Sequence, residues 1–230
     1  MHALPHLAAV DWLSLAIFFA CWSGYAWFSE HSQPGECGLI RTSQRYRLDW
    51  AYRMLERDVR VTDSTLIGNL MNSVSFYANT TIYIIAGLVA ALGTADKLLS
   101  VTAELPFAGT GTRELLEIKL MLVLGCFVFA YFKFTWSLRQ FNLLSILVGA
   151  APTGQPGTPA IDRYAWRVAG ANNLAGDDFN RGIRAYYFGL AASGWLLHPL
   201  ALGLLGGAVA VILYRRDYRS PALAILRDDV

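Results

Sequence analysis

Long apolar runs alternate with short charged stretches along this chain. A helix needs about 20 mostly apolar residues to cross the hydrocarbon core of a bilayer. Four segments reach that length: residues 7–28, 64–92, 115–148 and 183–214. Trp12, Trp22, Tyr25 and Trp27 anchor the first, as aromatics at a membrane interface do. The second holds no charged residue; Asp63 or Ser64 can cap its start, and Gly93 follows its end. The third makes about 50 Å of helix, so it must tilt or project into water. The fourth carries His198-Pro199 near its middle, where the proline frees a backbone carbonyl and predicts a kink.

The connections have patterns of their own. In residues 41–60, Leu48, Ala51, Tyr52, Leu55 and Val59 fall on one side of a helix, with Arg45, Arg53, Glu56, Arg57 and Arg60 around them. This predicts an amphipathic helix on the membrane or against the bundle. Residues 151–159 (APTGQPGTP) read as a turn-rich linker. Residues 162–174 predict a second short amphipathic helix. Asn172, Asn173, Asp177, Asp178 and Asn180 then predict a polar loop before the last span. The expected fold is all-α: one integral membrane domain, 1–230, a four-helix bundle with one or two amphipathic cytoplasmic helices.

Composition agrees with a membrane class. Of the 230 residues, 55% are hydrophobic and only 16% charged, against about a quarter charged in soluble domains. The net charge of +2 gives no footprint for nucleic acid. Residues 1–5 lack the basic start of a signal peptide, so residues 7–28 read as a retained helix. Cys21, Cys37 and Cys126 form no CxxC pair and read as reduced thiols. Arg41, Arg45, Arg47, Arg53, Arg57 and Arg60 crowd the first connection, and Arg163, Arg167 and Arg181 the third. The positive-inside rule then places both connections in the cytoplasm. The expectation is a multi-pass protein of a bacterial inner membrane with both termini outside, although Arg215, Arg216, Arg219 and Arg227 in the tail argue the other way.

Polar residues within spans are costly and are functional candidates by default. At 100° per residue, Thr65, Asn69, Asn72, Ser73, Asn79, Thr80 and Tyr83 share one face of the second span. Such a stripe either lines a polar path or joins helices by hydrogen bonds. Lys133 falls either at the interface beside Tyr131, Phe132 and Trp136 or inside the membrane. His198 is a candidate gate or proton carrier, or a structural group at the kink. His2 and His6 are spaced i,i+4, and His31, Glu36 and Cys37 lie close in sequence; both are weak metal signals, neither with four ligands in a known spacing. No HExxH, GxSxG or phosphate-binding glycine loop occurs, so an enzyme is not expected and no cofactor is predicted.

Three strings resemble a known family. One is Arg139-Gln140-Phe141-Asn142 with Ser145 and Gly149-Ala150-Ala151-Pro152. A second is Asn180 to Gly182 with Arg184-Ala185-Tyr186-Tyr187-Phe188, Trp195 and Pro199. A third is Asn72 with Ser75-Phe76 and Ala78-Asn79-Thr80. Together they resemble family 599 of the domains of unknown function, membrane proteins of bacteria and plants. The resemblance implies four spans and no catalytic residues.

Three functions follow as expectations. The first is a channel or transporter-like homo-oligomer in the lipid bilayer, its candidate lining Asn69, Asn72, Asn79, Tyr83, Lys133 and His198. The second is an assembly protein whose polar faces pack on itself or an unidentified membrane partner, helped by Gly203 and Gly207 in GxxxG spacing. The third, a lipid or quinone enzyme, rests only on Asp177 and Asp178 beside Arg181 and Arg184.

Overall fold

A computed structural model describes residues 7–31, 38–103 and 112–227, and among these every regular element is helical. In chain order they are α1 (Ala9–His31), α2 (Leu39–Leu55), α3 (Val61–Gly93), α4 (Ala95–Ala103), α5 (Arg113–Gly149), α6 (Pro159–Ser193), α7 (Pro199–Tyr218) and α8 (Pro221–Arg227). The protein is all-α. Helices α1, α3 and α5, and the segment Pro199–Leu226, are long and apolar enough to cross a membrane. Four such helices fit a multi-pass membrane protein.

Local chemistry sets the helix starts. The Asp11 carboxylate accepts from the Ala8 amide, 3.2 Å, as the acidic residue of a capping box does. Thr112 and Ser220 hydroxyls accept from the amides of Leu115 and Leu223, capping α5 and α8. Helices α6, α7 and α8 each begin on a proline, whose missing N–H costs nothing at the first position.

Two expectations about the last third of the chain are corrected. The polar run Asn172–Asn180 is not a loop, and 162–174 is not a short helix; both lie within α6, 35 residues long. Asn, Asp and Gly lower helix propensity by under about 1 kcal/mol each. Partners on α2 and α5, described below, offset that loss. The span expected over 183–214 is not one helix either. Helix α6 ends at Ser193, a 3-10 turn covers Gly194–Leu196, and α7 starts at Pro199. Proline cannot donate to the carbonyl four residues back, and its ring clashes there. The chain breaks completely where a kink was expected.

Backbone contacts divide the chain into two units. The first comprises 1–33, 81–130 and 183–216; the second 34–80, 131–182 and 217–230. Helices α3, α5 and α6 supply residues to both. The first unit centres on Phe18, Phe127, Phe188, Trp195 and Leu202, all buried. Trp22 stacks flat on Phe188 with ring centroids 5.4 Å apart. Gly203 and Gly206 of α7 meet Ile17 and Phe18 of α1, while Gly207 of the expected GxxxG pair has no described neighbour within 4 Å.

The second unit buries Ala51, Met54 and Leu55 of α2, and Phe134, itself buried, packs with the half-buried rings of Tyr77 and Phe179. At its other edge α8 packs on α2: the Tyr46 hydroxyl donates to the Leu226 carbonyl at 3.2 Å. Gly38, just before α2, faces Asp217 and Tyr218 at the end of α7.

Candidate functional site

Asp178, which sequence reading placed in a loop, anchors a polar network in the second unit. Asp178 is 5% exposed. Its Oδ1 accepts from Lys133 Nζ on α5 at 3.0 Å and lies 3.6 Å from Arg181. Its Oδ2 accepts from Gln140 Nε2 at 2.5 Å. One turn away from Gln140, Ser137 donates to the Ala175 carbonyl at 2.7 Å. Lys133, Ser137 and Gln140 share a face of α5 because 133, 137 and 140 are spaced i, i+4, i+7. Both oxygens of Asp178 are thus held by cations or an amide. That suits a fixed ion pair joining two helices better than a general base, which needs an oxygen free to meet substrate.

Helix α2 is tied to α6 by Arg47. Its Nη1 donates to the Asn172 carbonyl at 3.4 Å and to Asn173 Oδ1 at 3.1 Å. The guanidinium lies over Gly176, where a Cβ would come within 2.5 Å of Nη2. Burial pushes its pKa down and nearby Asp177 pulls it up; an arginine stays charged under both. The start of α3 is fixed by Asp63, fully buried, whose Oδ1 accepts from Trp50 Nε1 and Arg57 Nη1, each at 2.8 Å. Its Oδ2 is buried with no hydrogen-bond partner among the described residues. Arg60 ties the 151–159 linker down through the carbonyls of Ala151 and Pro152.

The first unit holds a buried carboxylate of its own. Asp11, 4% exposed, accepts from Trp195 Nε1 at 2.8 Å, and Lys119 Nζ lies 5.8 Å from the Trp195 ring centroid. Arg184, also buried, donates to the Ser29 hydroxyl.

The expected lining residues are scattered. Asn69, Asn72, Asn79 and Tyr83 are all exposed on α3, Tyr83 to 78%. The hydroxyls of Thr65, Ser73 and Thr80 donate to carbonyls of their own helix. Lys133 is committed to Asp178. His198 is not mid-span but exposed in front of α7, its Nδ1 accepting from the Leu200 amide at 3.2 Å. His2, His6, Glu36 and Cys37 lie outside the described residues, and among those described no group of His, Cys, Asp and Glu is set to hold a metal.

Sequence reading missed the pairs Lys133–Asp178, Asp63–Trp50 and Asp11–Trp195. For Asp11 and Asp63 the available signal was a carboxylate at the margin of an apolar helix; Asp178 lies in the interior of α6 and carried no such signal, and all three partners lie 13 or more residues away, beyond any local pattern.

Alongside the ionic network, an open cleft of about 460 Å³ lies between α2 and α3, with Arg47, Trp50 and Asn69 on its walls. The model of the family described as "Protein of unknown function, DUF599" matches residues 13–222. The chain belongs to this family. A comparison with curated proteins found no match, and one with solved structures found none. The three strings that resembled the family divide between these features in the DUF599 chain. Gln140 holds Asp178, Trp195 holds Asp11, and Asn72 and Asn79 face outward on α3.

Proposed function

We propose that this protein is a channel- or transporter-like homo-oligomer in which the polar face of α3 lines a path between copies. The observation that supports it is the position of Asn79. Counted back about 20 residues from Gly93, the crossing part of α3 starts near Ser73, so Asn79 belongs to it. Asn79 is exposed, and no hydrogen bond satisfies its amide among the described residues. Lipid offers an amide no partner, so water or another subunit must cover it. Asn69 and Asn72 sit at the mouth of the same face. So few packed helices enclose little space, which favours a path between copies.

The test is flux of Na⁺, K⁺ and Cl⁻ through vesicles holding the purified chain, across pH. Asn79→Leu is expected to cut flux at least about tenfold by removing a lining amide. No flux of any of these ions would sink the reading. A stoichiometric partner seated on α3 would favour assembly instead.

The same reading includes an orientation in a bacterial inner membrane. Helices α2 and α8 share a side, yet α3, α5 and α7 make three apolar crossings between them. An even number is required, and α6, with 35 residues or about 52 Å of helix, supplies the fourth. Trp195, just after α6, meets Asp11 in the first turn of α1, which supports α6 reaching the side where α1 begins. We place the N-terminus outside and the C-terminus in the cytoplasm. Arg215, Arg216 and Arg219 then join the α2 arginines inside, as the positive-inside rule favours.

A further inference from the structure

The geometry points to the cleft between α2 and α3 as a binding site for an anionic amphiphile, a phosphate headgroup carrying an acyl chain. Tyr46, Arg47 and Trp50 of α2 face Leu66, Leu70 and Ser73 of α3 across about 460 Å³. That volume lies in the usual range for small-molecule pockets, about 300–1,000 Å³.

Three observations define the ligand. The first is the chemistry of the walls. Leu66 and Leu70 offer apolar surface, while Asn69, Ser73 and Asn172 supply a few polar groups on the same lining. This suits a molecule with an apolar body and a polar end. The second is charge. Among the described residues, Arg47 is the one charged residue on the lining. Both of its hydrogen bonds leave from Nη1, so Nε and Nη2 keep donors unused by the described residues. A guanidinium fork with spare donors matches phosphate oxygens. Helix α2 adds Arg41, Arg45 and Arg53 to the local field, against Asp49 on the same helix and Asp177 of α6 near Arg47. The third is depth. The charge-free stretch of α3 begins at Ser64, so the cleft opens where α3 passes from charged surroundings into an apolar run. Trp50 and Tyr46 have the amphipathic rings that settle at headgroup level. An anionic phospholipid fits all three: headgroup at Arg47, chain along Leu66 and Leu70.

The proposal does not depend on a path along α3, because binding is read without flux. The full chain is purified in neutral detergent and delipidated. Its thermal midpoint is followed while dioctanoyl phosphatidylglycerol, dioctanoyl phosphatidylcholine or inorganic phosphate is added. The anionic lipid is expected to stabilise saturably, at about fivefold lower concentration than the zwitterionic one, from one basic contact. Phosphate alone is expected to do nothing at the same concentrations. Arg47→Gln is expected to erase the difference between the lipids. Because Arg47 also holds α6, Ser73→Trp is the second variant. Ser73 is exposed and bonds only its own helix, so the indole fills the cleft without disturbing the core, and binding is expected to vanish. Equal response to both lipids overturns the charge assignment. Equal response to phosphate makes this a free-anion site and overturns the amphiphile. Binding that survives Ser73→Trp puts the lipid elsewhere and overturns the site.

Discussion

Replacing Lys133 with methionine isolates the ion pair between α5 and α6. The lysine side chain is 27% exposed and the Asp178 side chain 8%, so the pair is mostly removed from water. Removing one partner of a fully buried pair costs about 3–5 kcal/mol, because the other charge is left uncompensated. Here the loss is smaller. Asp178 keeps the Gln140 amide on Oδ2, and Arg181, 3.6 Å away and 41% exposed, can close on Oδ1. Exposed partners compensate weakly, so Lys133→Met is expected to cost about 2 kcal/mol, or roughly 4–8 °C in melting temperature for a chain of this size. Adding Asp178→Leu removes the stranded charge. The double variant is then expected to recover at least half of that loss, since apolar replacement of a whole buried pair is often near neutral. The measurement is reversible unfolding in mixed micelles, followed by circular dichroism, for wild type, both single variants and the double. A Lys133→Met cost under about 0.5 kcal/mol, or no coupling in the cycle, would refute the view of Asp178 as a charge dependent on α5.

Other outcomes follow from the same contacts. Gly182→Ala puts a Cβ 2.5 Å from the Phe134 ring, so a cost of about 1–3 kcal/mol is expected in the same unfolding assay. Asp63→Ala leaves the Trp50 indole without its acceptor; a loss of about 2 kcal/mol and a changed near-ultraviolet Trp signal are expected. Single cysteines placed near each terminus, probed with an impermeant thiol reagent on intact cells, are expected to react at the N-terminal position and stay protected at the C-terminal one. Labelling of both would place both termini outside, and labelling of the C-terminal cysteine alone would reverse the orientation; either refutes the proposed orientation.

Hydropathy alone showed most of the fold. Three spans matched helices closely, since a run of apolar residues with no charge has few alternatives in lipid. The amphipathic stretch over 41–60 was legible from its period and became α2. The errors cluster in α6. Its Asn, Asp and Gly residues favour loops by local propensity, and only the distant partners Arg47, Lys133 and Gln140 make the helix continue. The candidate site was legible only as a set of polar positions. Periodicity put the α3 polar residues on one face, but it cannot say whether a face points inward or outward. His198 looked central because Pro199 was read as a kink within a helix; Gly194 and the proline together end one helix and begin another.

The Lys133–Asp178 pair also bears on how the chain enters the membrane. On insertion scales, an aspartate or arginine at the centre of a helix costs about 2.5–3.5 kcal/mol. Helix α6 carries Asp177, Asp178, Arg181 and Arg184 within eight residues, too many for it to partition into lipid alone. Its two neighbours in sequence, α5 and α7, are apolar enough to do so. Under the proposed topology, in which α6 crosses the membrane, α6 is expected to wait, still in water, until α5 has inserted and offers Lys133 as a counter-charge. Biogenesis becomes ordered by electrostatics: a lysine placed early in the chain licenses the entry of a helix synthesised later.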